Sequence, residues 1–161
     1  MFLYVRGAVG GVFKGESQDQ FHKGEIEVQS WSWGMQAQVG FGGAPTASRG
    51  RASILELKIV KRVDSASTAL MAALRNNEKI IKALLTIRKA GSALPLEYLK
   101  VTVEDGRVVA VNIDGGRGAT GTELVEHISF SFNKISVEYV PQGDDGRPQG
   151  GMLFSDQFHE G

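Results

Sequence analysis

Apolar residues recur at every second position through most of this chain. Leu55, Leu57 and Ile59 alternate with Glu56 and Lys58, and Ile81, Ala83, Leu85 and Ile87 alternate with Lys82, Thr86 and Arg88. Leu99, Val101 and Val103 continue the rhythm, followed by Val109, Val111 and Ile113. Such alternation predicts strands that lay one face against a core. Ile128, Phe130 and Phe132 keep one phase, whereas Ile135, Val137 and Tyr139 keep the other. A bulge, or a crossing from one sheet to another, is therefore expected at Asn133 and Lys134. A similar change follows Val28, where small serines take over the face that Ile26 and Val28 begin. Strands that bend in this way are typical of barrels and of orthogonally packed sheets.

One segment has helical spacing instead. Asp64, Ser65 and Ser67 are capable N-caps, Leu70, Met71 and Leu74 form an apolar stripe, and Asn76-Asn77 ends it. A helix this short takes its stability from packing on the sheet. Residues 40–50 (with Pro45) and 114–121 are glycine-rich and read as loops. A turn signal over residues 141–146 precedes Met152-Leu153-Phe154, a last strand. The fold class expected is mainly β: a closed β-barrel of two packed antiparallel sheets with one flanking α-helix, as a single domain over residues 1–161.

Composition sharpens this picture only in places. A chain of 161 residues removes roughly 70% of its unfolded surface from water on folding, so no metal or disulfide staple is needed. Its 21 glycines exceed the roughly 11 of ordinary usage, which fits many tight turns between strands. Cysteine is absent, which removes disulfide and thiolate chemistry. Lys plus Arg and Asp plus Glu both total 18, so there is no net charge to attract nucleic acid or an anionic membrane. Met1-Phe2-Leu3-Tyr4-Val5-Arg6 lacks the basic start and sustained apolar run of a signal peptide. No stretch approaches the roughly 18 apolar residues of a membrane span. The expectation is a chain made in the cytoplasm, without membrane insertion, that leaves the cell only if another machine exports it.

Candidate chemistry is thin. Gly116-Arg117-Gly118-Ala119-Thr120-Gly121 matches the dinucleotide fingerprint, but a helix must follow to hold the pyrophosphate, and Glu126-His127-Ile128-Ser129-Phe130 alternates as a strand. A hairpin is the better reading. His22, His127 and His159 have no metal-ligand spacing and read as surface or interface side chains. Glu25 and Glu27 read as a solvated strand face, Lys61-Arg62 and Arg88-Lys89 as short basic pairs at strand ends, and Ser30 and Ser32 lack a His-Asp partner set. No catalytic, cofactor-binding or metal-binding residue is assigned, and the chain is read as a non-enzyme. Trp31 and Trp33, the two tryptophans of the chain, lie two residues apart and so share a strand face. They read as core or interface anchors; a carbohydrate- or small-ligand-binding barrel that stacks its ligand on them is the alternative.

The motifs together resemble one family. Gly15-Glu16-Ser17, His22-Lys23-Gly24-Glu25-Ile26-Glu27-Val28 and Ser30-Trp31-Ser32-Trp33-Gly34 are similar to the haemolysin-coregulated protein (Hcp) family, the inner tube of bacterial type VI secretion systems. The similarity runs on through Val63-Asp64-Ser65-Ala66-Ser67 and Leu85-Thr86-Ile87-Arg88-Lys89-Ala90-Gly91, then Leu96-Glu97-Tyr98-Leu99. It ends with Ser129-Phe130-Ser131-Phe132 and Val137-Glu138-Tyr139-Val140-Pro141-Gln142, covering most of residues 10–146 in the family's order. Thr68 departs from it, standing where the family often has proline.

The resemblance implies a barrel with a flanking helix that assembles as a homohexamer, in rings stacked into a hollow tube. Its implied partners are further copies of itself, the contractile sheath, baseplate and spike proteins, and small effector proteins held within the ring by some members. It implies secretion by the type VI machine without a signal peptide, and no cofactor. Within that frame Trp31 and Trp33 are expected to point into packed protein. Ser30 and Ser32 are then expected to face the channel and any effector. The two glycine-rich stretches, with Gly42, Gly43 and Arg49 in one and Gly116, Arg117 and Gly118 in the other, are expected on the rims where rings stack.

Overall fold

Six antiparallel strands close on themselves in this computed structural model, which describes residues 1–37, 52–89, 95–118 and 121–158. In chain order the elements are β1 (Phe2–Gly7), β2 (Gly11–Val12), β3 (Ile26–Ser32), β4 (Met35–Gln36), β5 (Ser53–Ile54), β6 (Leu57–Arg62), α1 (Ser67–Arg75), β7 (Lys79–Arg88), β8 (Glu97–Gly118), β9 (Gly121–Tyr139) and β10 (Met152–Gln157). The sheet runs β10-β9-β6-β3-β1-β7-β8, and β8 pairs back onto β9. That last pairing makes a barrel of β6, β3, β1, β7, β8 and β9. β10 extends β9 as an outer edge, and β4 with β5 forms a small separate ladder.

Closure depends on the change of phase in β9. Residues 125–130 of β9 pair with β6, and residues 134–139 pair with β10, so the strand changes neighbours at Asn133 and Lys134, where the apolar phase switches. In β3 the register shifts between Val28 and Ser30. The extra residue turns Ile26 and Val28 into the core on one side of the shift and Trp31 toward it on the other. Inside the barrel, Leu3, Val5, Leu57, Ile59, Ala83, Leu85, Val101, Val103, Ile128 and Phe130 are fully buried.

Three apolar runs differ from simple alternation. Ile80, not Ile81, enters the core, because the β1–β7 register shifts at Arg6 and Gly7 and leaves Ile81 exposed. Val108 is buried whereas Val109 is exposed, because β8 bulges between Val108 and Ala110. Leu55 precedes β6 and is exposed, so the inward run starts at Leu57. In the first two cases one displaced residue inverts the faces of its neighbours.

The helix closes one end of the barrel with Ala66, Leu70 and Ala73 buried in the core. Ala66 occupies the N-cap and supplies no side-chain bond, so the expected Asp64, Ser65 and Ser67 caps act otherwise. Asp64 accepts from the Ala66 amide at 3.0 Å, and the Ser67 hydroxyl accepts from the Asp64 amide at 3.0 Å. At the other end Asn77 takes φ +51°, Glu78 N–H donates to Ala73 C=O and Asn77 N–H to Leu74 C=O. Those two bonds are a Schellman stop with asparagine in the left-handed position.

Beneath the helix start lies a buried charge cluster. The inward positions of β6 are Leu57, Ile59 and Lys61, facing Phe130, Ile128 and Glu126 on β9. Two apolar pairs are thus followed by a lysine and a glutamate, both with no exposed side-chain surface. Lys61 Nζ lies 2.6 Å from Glu126 Oε2 and 2.7 Å from Asp64 Oδ1, and it donates to Ser67 Oγ at 3.1 Å and to the Arg62 carbonyl at 2.9 Å. Ser67 Oγ donates in turn to Glu126 Oε2 at 2.7 Å. Lys61 is therefore not a strand-end surface charge. It joins the barrel wall to the helix entry.

Removing one member leaves the others buried and unpaired, which costs more than losing the whole set. Lys61→Met should lower the unfolding free energy by about 3–5 kcal/mol, read by urea denaturation. Adding Glu126→Leu should recover at least half of that loss, because an apolar pair satisfies the same inward sites. A double variant no more stable than the single would contradict the ionic reading.

Candidate functional site

No group of three or more metal-capable side chains occurs among the described residues. What the chain offers instead is surface held in place by a rigid strap. The strap is the segment between β2 and β3, which carries the motifs Gly15-Glu16-Ser17 and His22-Lys23-Gly24. Gly15 N–H donates to Gly24 C=O at 2.8 Å, Ser17 N–H to Glu25 C=O at 3.1 Å and Gly24 N–H to Ser17 C=O at 2.9 Å. A β-carbon on Gly15 would sit 2.5 Å from the Glu25 carbonyl oxygen, so only glycine fits there. Gly24 takes φ +74° and closes the turn.

Side chains then fasten the strap to the barrel. Arg88 on β7 donates through both terminal nitrogens to the two Asp19 carboxylate oxygens, and its guanidinium lies 5.1 Å from the Phe2 ring centroid. His22 stacks on the Phe2 ring, the ring centroids 4.4 Å apart and the planes nearly parallel. Its Nδ1 lies 2.9 Å from Glu25 Oε2 and its Nε2 2.9 Å from Glu97 Oε1. Each ring nitrogen thus faces a carboxylate. His22 is thus a buried fastener, not a surface or interface side chain. Glu25 belongs to that fastener and precedes β3, whereas Glu27 is exposed on the strand. His127 lies on β9 near Asp114, and His159 falls outside the described residues.

The strap delivers the chain into β3, which presents two unlike faces. Trp31 and Trp33 are half-buried and pack against the core. Ser30 and Ser32 are exposed. Gly116 is exposed near the end of the β8–β9 hairpin, and Gly116, Arg117 and Gly118 pair with Glu123, Thr122 and Gly121. Residues 114–118 are therefore strand, not a loop, which also explains why the glycine fingerprint has no helix to hold a nucleotide. Gly42, Gly43 and Arg49 lie outside the described residues.

The family model described as "Type VI secretion system effector, Hcp" matches residues 2–139. This chain belongs to the Hcp family. It is 35% identical over 143 residues to protein hcp1 of Pseudomonas aeruginosa, covering 89% of this chain and 87% of that protein. Hcp1 from Salmonella typhimurium superposes with a TM-score of 0.72 at 30% identity, covering 98% of this chain and 94% of that one. A double mutant of Hcp1 from the E. coli EAEC 042 pathovar gives a TM-score of 0.77 at 22% identity, covering 98% of both chains, and bears on the fold alone. The Hcp chain described here is a type VI secretion tube subunit. No helix among its described residues is long and apolar enough to cross a membrane.

The strap has a defined acid response. The Arg88 hydrogen bond, aided by the Phe21 amide, holds the Asp19 carboxyl down at about 2 instead of the usual 3.8. Burial pushes the Glu97 carboxyl up, but Lys100 and His22 outweigh it, and the net direction is down. Both carboxylates bind their partners best when ionised, so their contribution is complete above the unfolded values and is lost as pH falls through the folded ones. Hydrogen exchange of the amides at residues 15–24, corrected for intrinsic rates, should stay constant from neutral pH down to about 4 and accelerate below it. Asp19→Asn should speed exchange already at neutral pH, and equal protection in the variant would contradict the role given to Arg88.

Proposed function

We propose that this Hcp chain assembles as a homohexameric ring, and that stacked rings form the hollow tube which the secretion machine drives out of the cell. The observation that carries this reading is the family match over residues 2–139, together with a barrel whose strand edges a neighbour would cover. A closed ring joins one face of each subunit to a different face of the next. Zero net charge suits it, because packed copies then carry no long-range repulsion. β10 supports the same reading, being exposed at every residue while pairing only with β9.

In this assembly Trp31 and Trp33 anchor packed protein, and Ser30 and Ser32 line the channel. Small hydroxyls leave that wall wide and without apolar patches, a surface on which a small effector protein can ride. The segment over residues 40–50, with Gly42, Gly43 and Arg49, and the hairpin end at Gly116, Arg117 and Gly118 lie on the two rims. The chain acts with the sheath, baseplate and spike as a passive conduit, without catalysis. It is made in the cytoplasm and leaves through that machine.

Two measurements test this. The chain should appear in the medium of cells whose sheath contracts and be absent from medium of cells lacking the sheath. In purified assemblies, Ser30→Cys and Ser32→Cys should react freely with a small maleimide and much more slowly with one attached to a bulky polymer. Equal rates for both reagents would remove these serines from the channel, and export without the sheath would remove the tube from its machine.

A further inference from the structure

Two apolar surfaces on this barrel have no partner, and they lie at opposite ends of β6. The first is a groove where β9 parts from β6 before it joins β10. It is a cavity of about 450 Å³ lined in part by Met35, Leu55, Phe132 and Phe158, with Glu56 and Asp156 at its edge. Met35 is 47% exposed and Leu55 45%, too much for residues that only complete the core. The second surface continues the inward face of the β8–β9 hairpin past the helix. Val111 faces Ile128, Ile113 faces Glu126 and Gly115 faces Leu124, so Ile113 and Leu124 carry on the face that holds the core. They emerge 46% and 50% exposed. Met71 and Leu74 of α1 meet Val111 and Ile113 there, and Arg75 stands beside them.

Charge says what each surface fits. Among the described residues, neither Glu56 nor Asp156 joins an ion pair, and neither does Arg75. Among the described residues, the groove thus carries two carboxylates without an ion-pair partner and the knob one such guanidinium. The six residues of β6, at about 3.3 Å each, separate the two surfaces by about 20 Å along the barrel. An apolar knob at one end and an apolar groove at the other, with opposite charges at their edges, make a head-to-tail pair that repeats without closing.

We propose that the knob of Ile113, Leu124 and Met71 on one copy seats in the Leu55–Phe132 groove of the copy stacked above it, with Arg75 meeting Glu56 and Asp156. The proposal rests on the ring reading and gives it an axial contact. Apolar burial supplies the attraction, and the charge pairing sets which end meets which. The β4–β5 ladder borders the groove, and the glycine-rich hairpin end lies next to the knob.

The native chain has no cysteine, which makes crosslinking clean. In cells carrying the complete secretion machine, a chain with both Leu55→Cys and Leu124→Cys should give a ladder of disulfide-linked multimers under mild oxidant. Either single variant should give none. Arg75→Glu should reduce export at least tenfold while the purified particle keeps the mass of one ring, and adding Glu56→Arg with Asp156→Arg should restore export. The absence of a ladder, or normal export of Arg75→Glu, overturns the contact. A solitary Arg75→Glu chain beside ring-forming wild type moves the contact inside the ring and overturns the axial assignment. A wild-type chain that is itself solitary overturns the ring reading, which separates that failure from this one.

Discussion

The barrel stays closed only while β6 holds β9, and the last inward pair of that ladder is Lys61 with Glu126. Like the pairing of β1 with β7, it joins stretches that lie far apart along the chain. Because the pair also holds Asp64 and Ser67, the ladder cannot form fully without setting the helix entry. The helix then supplies Leu70 and Ala73 to close the end of the core. A lysine and a glutamate at inward positions contribute little net energy compared with two apolar residues of their size. What they add is register. Slipping β6 by one residue along β9 would strand a buried charge, an error that Leu57 and Ile59 alone would punish less severely.

A tube subunit must be stiff and must present several distinct faces at once. The strap between β2 and β3 meets the first need by fixing the strand that carries Ser30 and Ser32. Its fasteners, Asp19 with Arg88 and His22 between Glu25 and Glu97, bring together residues from three separate stretches of chain. The second need is met by strands that outrun the barrel. β8 and β9 extend beyond the helix-capped end, and β10 pairs with β9 along the edge that β6 leaves. Those extensions bury little in a single copy. Their apolar residues make sense as surface for a neighbour.

Much of this was legible in the alternation of side chains. Leu57 and Ile59, Leu99 to Val103, and the switch at Asn133 and Lys134 lead directly to a closed barrel, because period two and its interruptions are local properties. The helix ended at Asn76-Asn77, since asparagine tolerates the left-handed turn that a Schellman stop requires. Ile81 and Val109 misled because a bulge moves one residue and inverts the next, and nothing in the apolar count marks where the extra residue falls. Lys61 and His22 were illegible for a different reason. The carboxylates that satisfy them, Glu126 and Glu97, lie far along the chain, and only the closed sheet brings them together. A charge at an inward position of an alternating strand was the available signal, and at Lys61 it coincided with the end of the strand.

The Trp31–Trp33 face and the Ser30–Ser32 face show how one strand can serve core and surface together, with the bulge after Val28 setting which is which. From that strand outward, the proposed ring surrounds each molecule with its own kind. Electron microscopy of the purified Hcp chain tests this most directly. Class averages should show six copies around an open hole, with the barrel walls forming its rim. A field of solitary barrels at high protein concentration, or a compact particle without a hole, would contradict it.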